Sequence, residues 1–281
     1  MGKMEQGREG TAEIIVRRMD FQFDDTIPTW WFDGDVVKTL IMAAQSCTFP
    51  EGERFFIRSV RAWQDGVQDP VLRQQIRGFI GQEAHHGNEH TALNAFMLGR
   101  GLPTDKVEAF VKRGLGFRDR MLSPERRLAM TCALEHFTAM LAEMLLEHPE
   151  FLKGMDERVF ALWLWHAVEE SEHKAVAFDV FQDQVGSQWI RRSQMAITTL
   201  EFSLFSMLHF ARLYRASGAK LGARGVLRGL GYFRPWLRSL RPRYLAYYRR
   251  DFHPDEVDTR ALREAALQRL AQMLDRPTLA A

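Results

Sequence analysis

Cysteine is nearly absent: Cys47 and Cys132 are the only two in 281 residues. Neither lies in a C-x-x-C or secretory spacing. That argues against a disulfide scaffold and fits a reducing, cytoplasmic compartment. No G-x-G-x-x-G or Walker loop occurs, so a nucleotide-binding fold has no support. Charge of one sign is also missing. The net charge is +2, and bulk charge therefore announces no polyanionic partner. The opening stretch, MGKMEQGREGTAEIIVRRMDF, lacks the apolar run of a signal peptide. Gln6 stands where a myristoylation signal needs Ser or Thr. β-branched runs of period two are scarce, which argues against sheet.

Helical periodicity is what the chain has. At 46% hydrophobic residues it can fill a large core. Pro and Gly breakers predict helices over about 34–48, from Pro50 to about 62–64, 70–99, 106–114, 124–147 and 156–185. The reading is an all-α helical bundle with additional C-terminal helices. It divides the chain into an N-terminal arm (1–33), the bundle (34–185) and a basic helical extension (186–281) packed on it.

Ionisable residues interrupt the apolar stripes. In 70–99 the stripe runs Leu72, Ile76, Phe79, Glu83, His86, His90, Leu93, Met97, at spacings of three and four. In 156–185 it runs Val159, Trp163, His166, Glu170, His173, Ala177, Val180. Each contains Glu-x-x-His, which presents two donors to one point. Glu135 sits in the stripe of 124–147, and Glu53 aligns with Phe56, Ile57, Val60 and Trp63. A buried carboxylate is costly unless it is paired or bound to metal. The residues therefore predict a metal site of Glu53, Glu83, His86, Glu135, His166, Glu170 and His173. Buried hydrogen-bonded pairs without metal are the competing reading. His90 is expected beside the ligands as a supporting partner or pocket wall, and His85 and His136 at helix interfaces or the surface. Glu169 and Glu172 are expected on other faces, paired with arginines or solvent. Trp163, Trp165, Phe55 and Phe56 read as core, and Asp179 as a candidate supporting residue.

FPEGERFF (49–56), GQEAHHGNEH (81–90), ALEHFTA (133–139), WHAVEESEHKAVAFDV (165–180) and YRRDFHPD (248–255) resemble a bacterial family of predicted metal-dependent hydrolases, a ferritin-like group. The order Glu, Glu-x-x-His, Glu, Glu-x-x-His is similar to that of di-iron and di-manganese carboxylate bundles. His166, four residues before Glu170, also resembles the extra iron ligand of di-iron N-oxygenases of the p-aminobenzoate N-oxygenase type. The resemblance implies a ferritin-like four-helix bundle holding two metal ions, iron first, with manganese next and zinc last. It implies Glu83 and Glu170 as bridges. Glu53 and His86 would cap one metal; Glu135, His173 and His166 the other. The implied activity is O2-dependent oxidation of a small organic substrate, supplied by an electron-donor protein. Metal-dependent hydrolysis is the alternative, and non-enzymatic metal or lipid binding a third.

Residues 202–250 contain no Asp or Glu but are rich in Arg, interleaved with aromatics. Glu201 and His209 argue against a simple membrane span at 195–214. A helix packed on the bundle with solvated arginines is expected. Association of 195–250 with a membrane surface, at the inner face, is the next reading. Nucleic acid has no recognisable module to bind it, and a homodimer stays open.

Overall fold

A computed structural model describes residues 14–276 and 279. The rest of the arm, residues 1–13, lies outside the described residues. Every regular element among the described residues is helical. The α-helices are α1 (Val36–Ser46), α2 (Phe49–Arg61), α3 (Pro70–Gly99), α4 (Thr104–Met121), α5 (Pro124–Glu147), α6 (Glu157–His173), α7 (Val176–Gln184), α8 (Gln188–Ala216), α9 (Ala223–Gly231), α10 (Arg234–Ala246) and α11 (Arg260–Met273).

Local chemistry sets the starts. Asp69, Ser123 and Asp156 each accept a bond from a backbone N–H of the first turn they cap. Pro70 and Pro124 follow two of those caps at the position where a missing N–H costs nothing. α3 stops before Gly101, whose φ of +87° only glycine adopts cheaply. α4 runs a full turn and more beyond its expected end at 114.

The predicted helix over 156–185 is in fact two. It breaks at Lys174 and Ala175. The Lys174 ammonium is buried and held by Glu143 Oε1 at 2.8 Å and the Val257 carbonyl at 2.6 Å. An anchor between α5 and the C-terminal segment thus fixes Lys174 immediately after the last residue of α6.

α2 packs on α3, α5 on α6, α2 on α5 and α3 on α6, so four helices face one centre. The largest apolar cluster joins Met19 and Ile27 of the arm, Trp163 and Trp165 of α6, and Leu213, Trp236 and Leu270 of the C-terminal helices. The arm is tied down by polar contacts too: the Asp20 and Phe21 amides donate to Glu89 of α3 at 2.8 and 2.9 Å.

α8 lays one face on α5 and α1. Its outer face leaves Leu200, Leu204, Met207 and Leu208 exposed. The arginines of the extension are not all solvated. Arg243 holds Glu143 at 3.1 Å and Glu147 at 2.5 Å on α5. Arg191 is fully buried and donates to the carbonyls of Tyr247 and Arg249. Of the described helices, α5 is long and apolar enough to cross a membrane, but most of it is buried in the fold.

Candidate metal centre

α2 delivers Glu53, α3 delivers Glu83 and His86, α5 delivers Glu135, and α6 delivers His166, Glu170 and His173. None is more than 3% exposed. Their donor atoms form three overlapping groups: Glu53, His86, His166; Glu83, His86, Glu170; and Glu83, Glu135, His173. Within each group the atoms lie within 4.8 Å of one another. Glu83 and His86 each belong to two groups. Glu170 also reaches both sides, with Oε1 2.9 Å from His166 Nε2 and Oε2 3.5 Å from His173 Nε2. One assignment changes. His166 falls beside Glu53 and His86, not with Glu135 and His173. It lies two turns before His173 on α6, far enough along the axis to serve the opposite end of the centre.

Hydrogen bonds outside the centre decide what its nitrogens can do. Asn94 donates its amide N–H to the Ser46 carbonyl and to Glu108, so its Oδ1 accepts from Ser46 Oγ at 2.7 Å. The Ser46 proton is then spent. His90 Nδ1 must donate to Ser46 Oγ at 2.9 Å, and neutral His90 accepts at Nε2 from His166 Nδ1 at 2.7 Å. His166 Nε2 is left with a bare lone pair facing a carboxylate oxygen 2.9 Å away. Two lone pairs at that distance repel unless a proton or a cation sits between them. His173 repeats the pattern. Gln82 donates to Glu172 and to the Ile15 carbonyl, so its Oε1 accepts from His173 Nδ1 at 2.8 Å. His173 Nε2 then faces Glu83 at 3.2 Å and Glu135 at 3.5 Å. His86 pairs outward with Glu169 through Nε2 at 3.2 Å and turns Nδ1 toward Glu170 at 3.5 Å and Glu83 at 3.6 Å.

The inward atoms lack hydrogen-bond geometry. Both oxygens of Glu53, Glu83 and Glu135, with Glu170 Oε2, His86 Nδ1 and His173 Nε2, have no hydrogen-bond partner although they are buried. Buried polar atoms are normally satisfied. So many orphans aimed at one point fit a bound cation. A glycine also makes room. A Cβ at Gly87 of α3 would stand 2.9 Å from Glu53 Oε2 and 3.6 Å from Pro50 Cα. The residues present therefore fit bound metal.

Without metal, charge redistributes. Burial, then the nearby Glu83, pushes the Glu53 and Glu135 carboxyls well above the usual carboxylate range. Burial alone would lower His86 and His173, but their carboxylate neighbours raise both well above an ordinary histidine. Burial would raise Glu83 and Glu170, but the imidazoles hold both low. Burial lowers His90, with His166 adding to the effect, and keeps it neutral. Glu83 and Glu170 are thus the carboxylates held toward the charged form, by the imidazoles of His86 and His173.

The sequence matches the family described as predicted metal-dependent hydrolase over residues 15–258. This chain belongs to that family. No curated protein and no solved structure matches it. The family match spans the arm from Ile15, all of the candidate ligands and the first ten helices.

Several residues around the candidate centre escaped the sequence reading. Glu169 is fully buried against His86, not on another face, while also meeting Arg17 at 3.4 Å. Helical phase could have found it, since at 3.6 residues per turn Glu169 lies only about 40° from His173. Glu172 does pair with an arginine, Arg17, at 2.8 Å. Gln82, Ser46 and Asn94 carried no signal, because their roles depend on which helix lies opposite. His90 bonds to His166, and His136 lies buried at an interface with its Nε2 3.1 Å from the Arg243 carbonyl. His85 is half-buried. Asp179 pairs with His253 at 2.9 Å, away from the centre. Phe55, Trp163 and Trp165 are core, whereas Phe56 also lines a cavity of about 450 Å³ between α2, α4, α5 and α8.

Proposed function

We propose that this chain is a dinuclear metal-dependent enzyme acting on a small organic substrate, with hydrolysis as its reaction. The observation that supports a metal pair is the set of buried, unpartnered donor atoms converging from α2, α3, α5 and α6. Hydrolysis is supported by the family's description. Bound metals would supply a water of lowered pKa in that reaction, or electrons for O2 in an oxidative one. Glu53, His86 and His166 would hold one ion; Glu83, Glu135 and His173 the other; Glu170 would reach both. Glu169, His90 and Gln82 orient the three imidazoles, and such outer partners raise ligand basicity.

O2-dependent oxidation is a second reading, supported by one specific observation. The donors are carboxylates and imidazoles with no thiolate, a set that admits redox-active iron or manganese. One experiment separates the two. The chain is loaded with iron, manganese or zinc, and metal content is measured. Ester and phosphoester turnover is then followed with and without O2. Turnover that persists without O2 supports hydrolysis. O2 uptake by the ferrous chain, with a coupled diferric Mössbauer signal and no hydrolytic turnover, replaces it with oxidation. Metal binding with neither activity leaves a binding protein, and absence of metal binding overturns the proposal.

A further inference from the structure

The cavity beside the centre has no role in holding metal, yet it touches the helices that carry the ligands. It is lined by Phe49, Gly52 and Phe56 on α2, next to Glu53, and by Thr138 on α5, one turn from Glu135. The Phe49 ring stands between cavity and centre, 4.5 Å from the His90 ring and 4.6 Å from the His166 ring. On α8 the lining runs from Thr198 to His209. At 1.5 Å per residue that is a length of about 16 Å. A volume of about 450 Å³ spread over that length makes the cavity long and narrow.

Its walls are mostly apolar, and its polar groups are few. Arg118 pairs with Glu201 and Gln45 with Ser206, and Arg113 is exposed to solvent. His209 differs: it is 3% exposed, and neither ring nitrogen has a partner. Burial, with Arg212 nearby, lowers its pKa to about 4, so it is a neutral ring with one donor and one acceptor. Phe110 and Phe205 flank it at 5.8 and 6.5 Å and offer it no hydrogen bond. A buried polar ring facing an apolar cavity costs stability unless something in the cavity bonds to it.

We propose that this cavity binds one extended apolar molecule, an alkyl or acyl chain bearing a single neutral hydrogen-bonding group that His209 holds. As the substrate pocket of the enzyme it rests on the function proposed above; as a binding site it stands by itself. Gly52 keeps the pocket open. A Cβ there would meet only Phe56 Cζ, at 4.0 Å, so a larger side chain enters the cavity without forcing the helices apart.

The test titrates the full metal-free chain with 1-octanol and with 1-chlorooctane by calorimetry. Both are expected to bind the wild type. Gly52→Leu is expected to abolish both while keeping its thermal midpoint, since leucine favours a helix over glycine. His209→Leu should weaken octanol about tenfold and leave chlorooctane unchanged, the loss of one hydrogen bond. Absence of binding to the wild type, or octanol binding indifferent to both substitutions, overturns the inference. Metal stoichiometry is measured on the same proteins. Normal metal binding without octanol binding sinks the pocket alone. Octanol binding without metal sinks the enzyme reading alone.

Discussion

Gly87→Ala puts a single methyl group where α3 meets Glu53. The new Cβ would lie 2.9 Å from Glu53 Oε2, inside ordinary contact distance, and 3.6 Å from Pro50 Cα on the backbone of α2. The backbone cannot retreat easily, so the carboxylate moves by a few tenths of an ångström. Alanine favours a helix over glycine by about 1 kcal/mol, which offsets most of the packing strain in the metal-free chain. The thermal midpoint of the metal-free variant should therefore stay near that of wild type. Metal binding should not. Disturbing the surroundings that orient a ligand typically costs about 10- to 100-fold in affinity, equivalent to about 1.4–2.7 kcal/mol. The assay is competition against a chelator of known affinity, with metal content read after equilibrium dialysis. Weakened binding with unchanged metal-free stability is expected. Unchanged affinity would refute the reasoning, because Glu53 would then not be a ligand or would not need the space that Gly87 leaves. Gly87→Leu gives the stronger version, with loss of Glu53 from the centre.

Metal loading should release protons from Glu53, Glu135, His86 and His173, as read by calorimetry in buffers of different ionisation heat. All four have raised pKa values in the metal-free fold. Their stabilisation is complete below their unfolded pKa values and is lost as pH rises through the raised ones. The midpoint gap between loaded and metal-free chain should accordingly widen as pH rises above the ordinary carboxylate and histidine ranges, and a flat gap would contradict the assignment. Lys174→Met leaves Glu143 without its one buried cationic partner, with only the half-buried Arg243 remaining, and should destabilise the fold by about 3–5 kcal/mol in denaturant unfolding. A loss under about 1 kcal/mol would mean that Arg243 alone satisfies Glu143. The exposed leucines of α8 and the acid-free arginine segment predict cosedimentation with anionic but not neutral vesicles. Equal recovery in the supernatant with both would remove a membrane-surface role.

Much of the fold was legible because helices announce themselves locally. Asp69–Pro70, Ser123–Pro124 and Asp156 are start signals with a mechanism, and the starts of α3, α5 and α6 fall within a residue of where they point. The break after His173 was not legible, since Lys174 turns toward Glu143 and Val257, residues remote in sequence. The end of α4 was missed for a similar reason. Arg58 of α2 and Glu201 of α8 reach Asp119 and Arg118 in its last turn.

By itself the sequence determined which side chains could share a buried point. Helical phase is a property of one segment, and it places Glu83 with His86 and His166 with Glu170 and His173 whatever lies opposite. Tertiary structure decided everything that depends on a neighbour. It set His166 beside Glu53, used Asn94, Ser46 and His90 to leave His166 Nε2 with a bare lone pair, and hung Glu169 on His86. It also opened the cavity that ends at His209. Those features arise between helices, where a side chain's role is set by what stands across from it, and no single stripe carries that information.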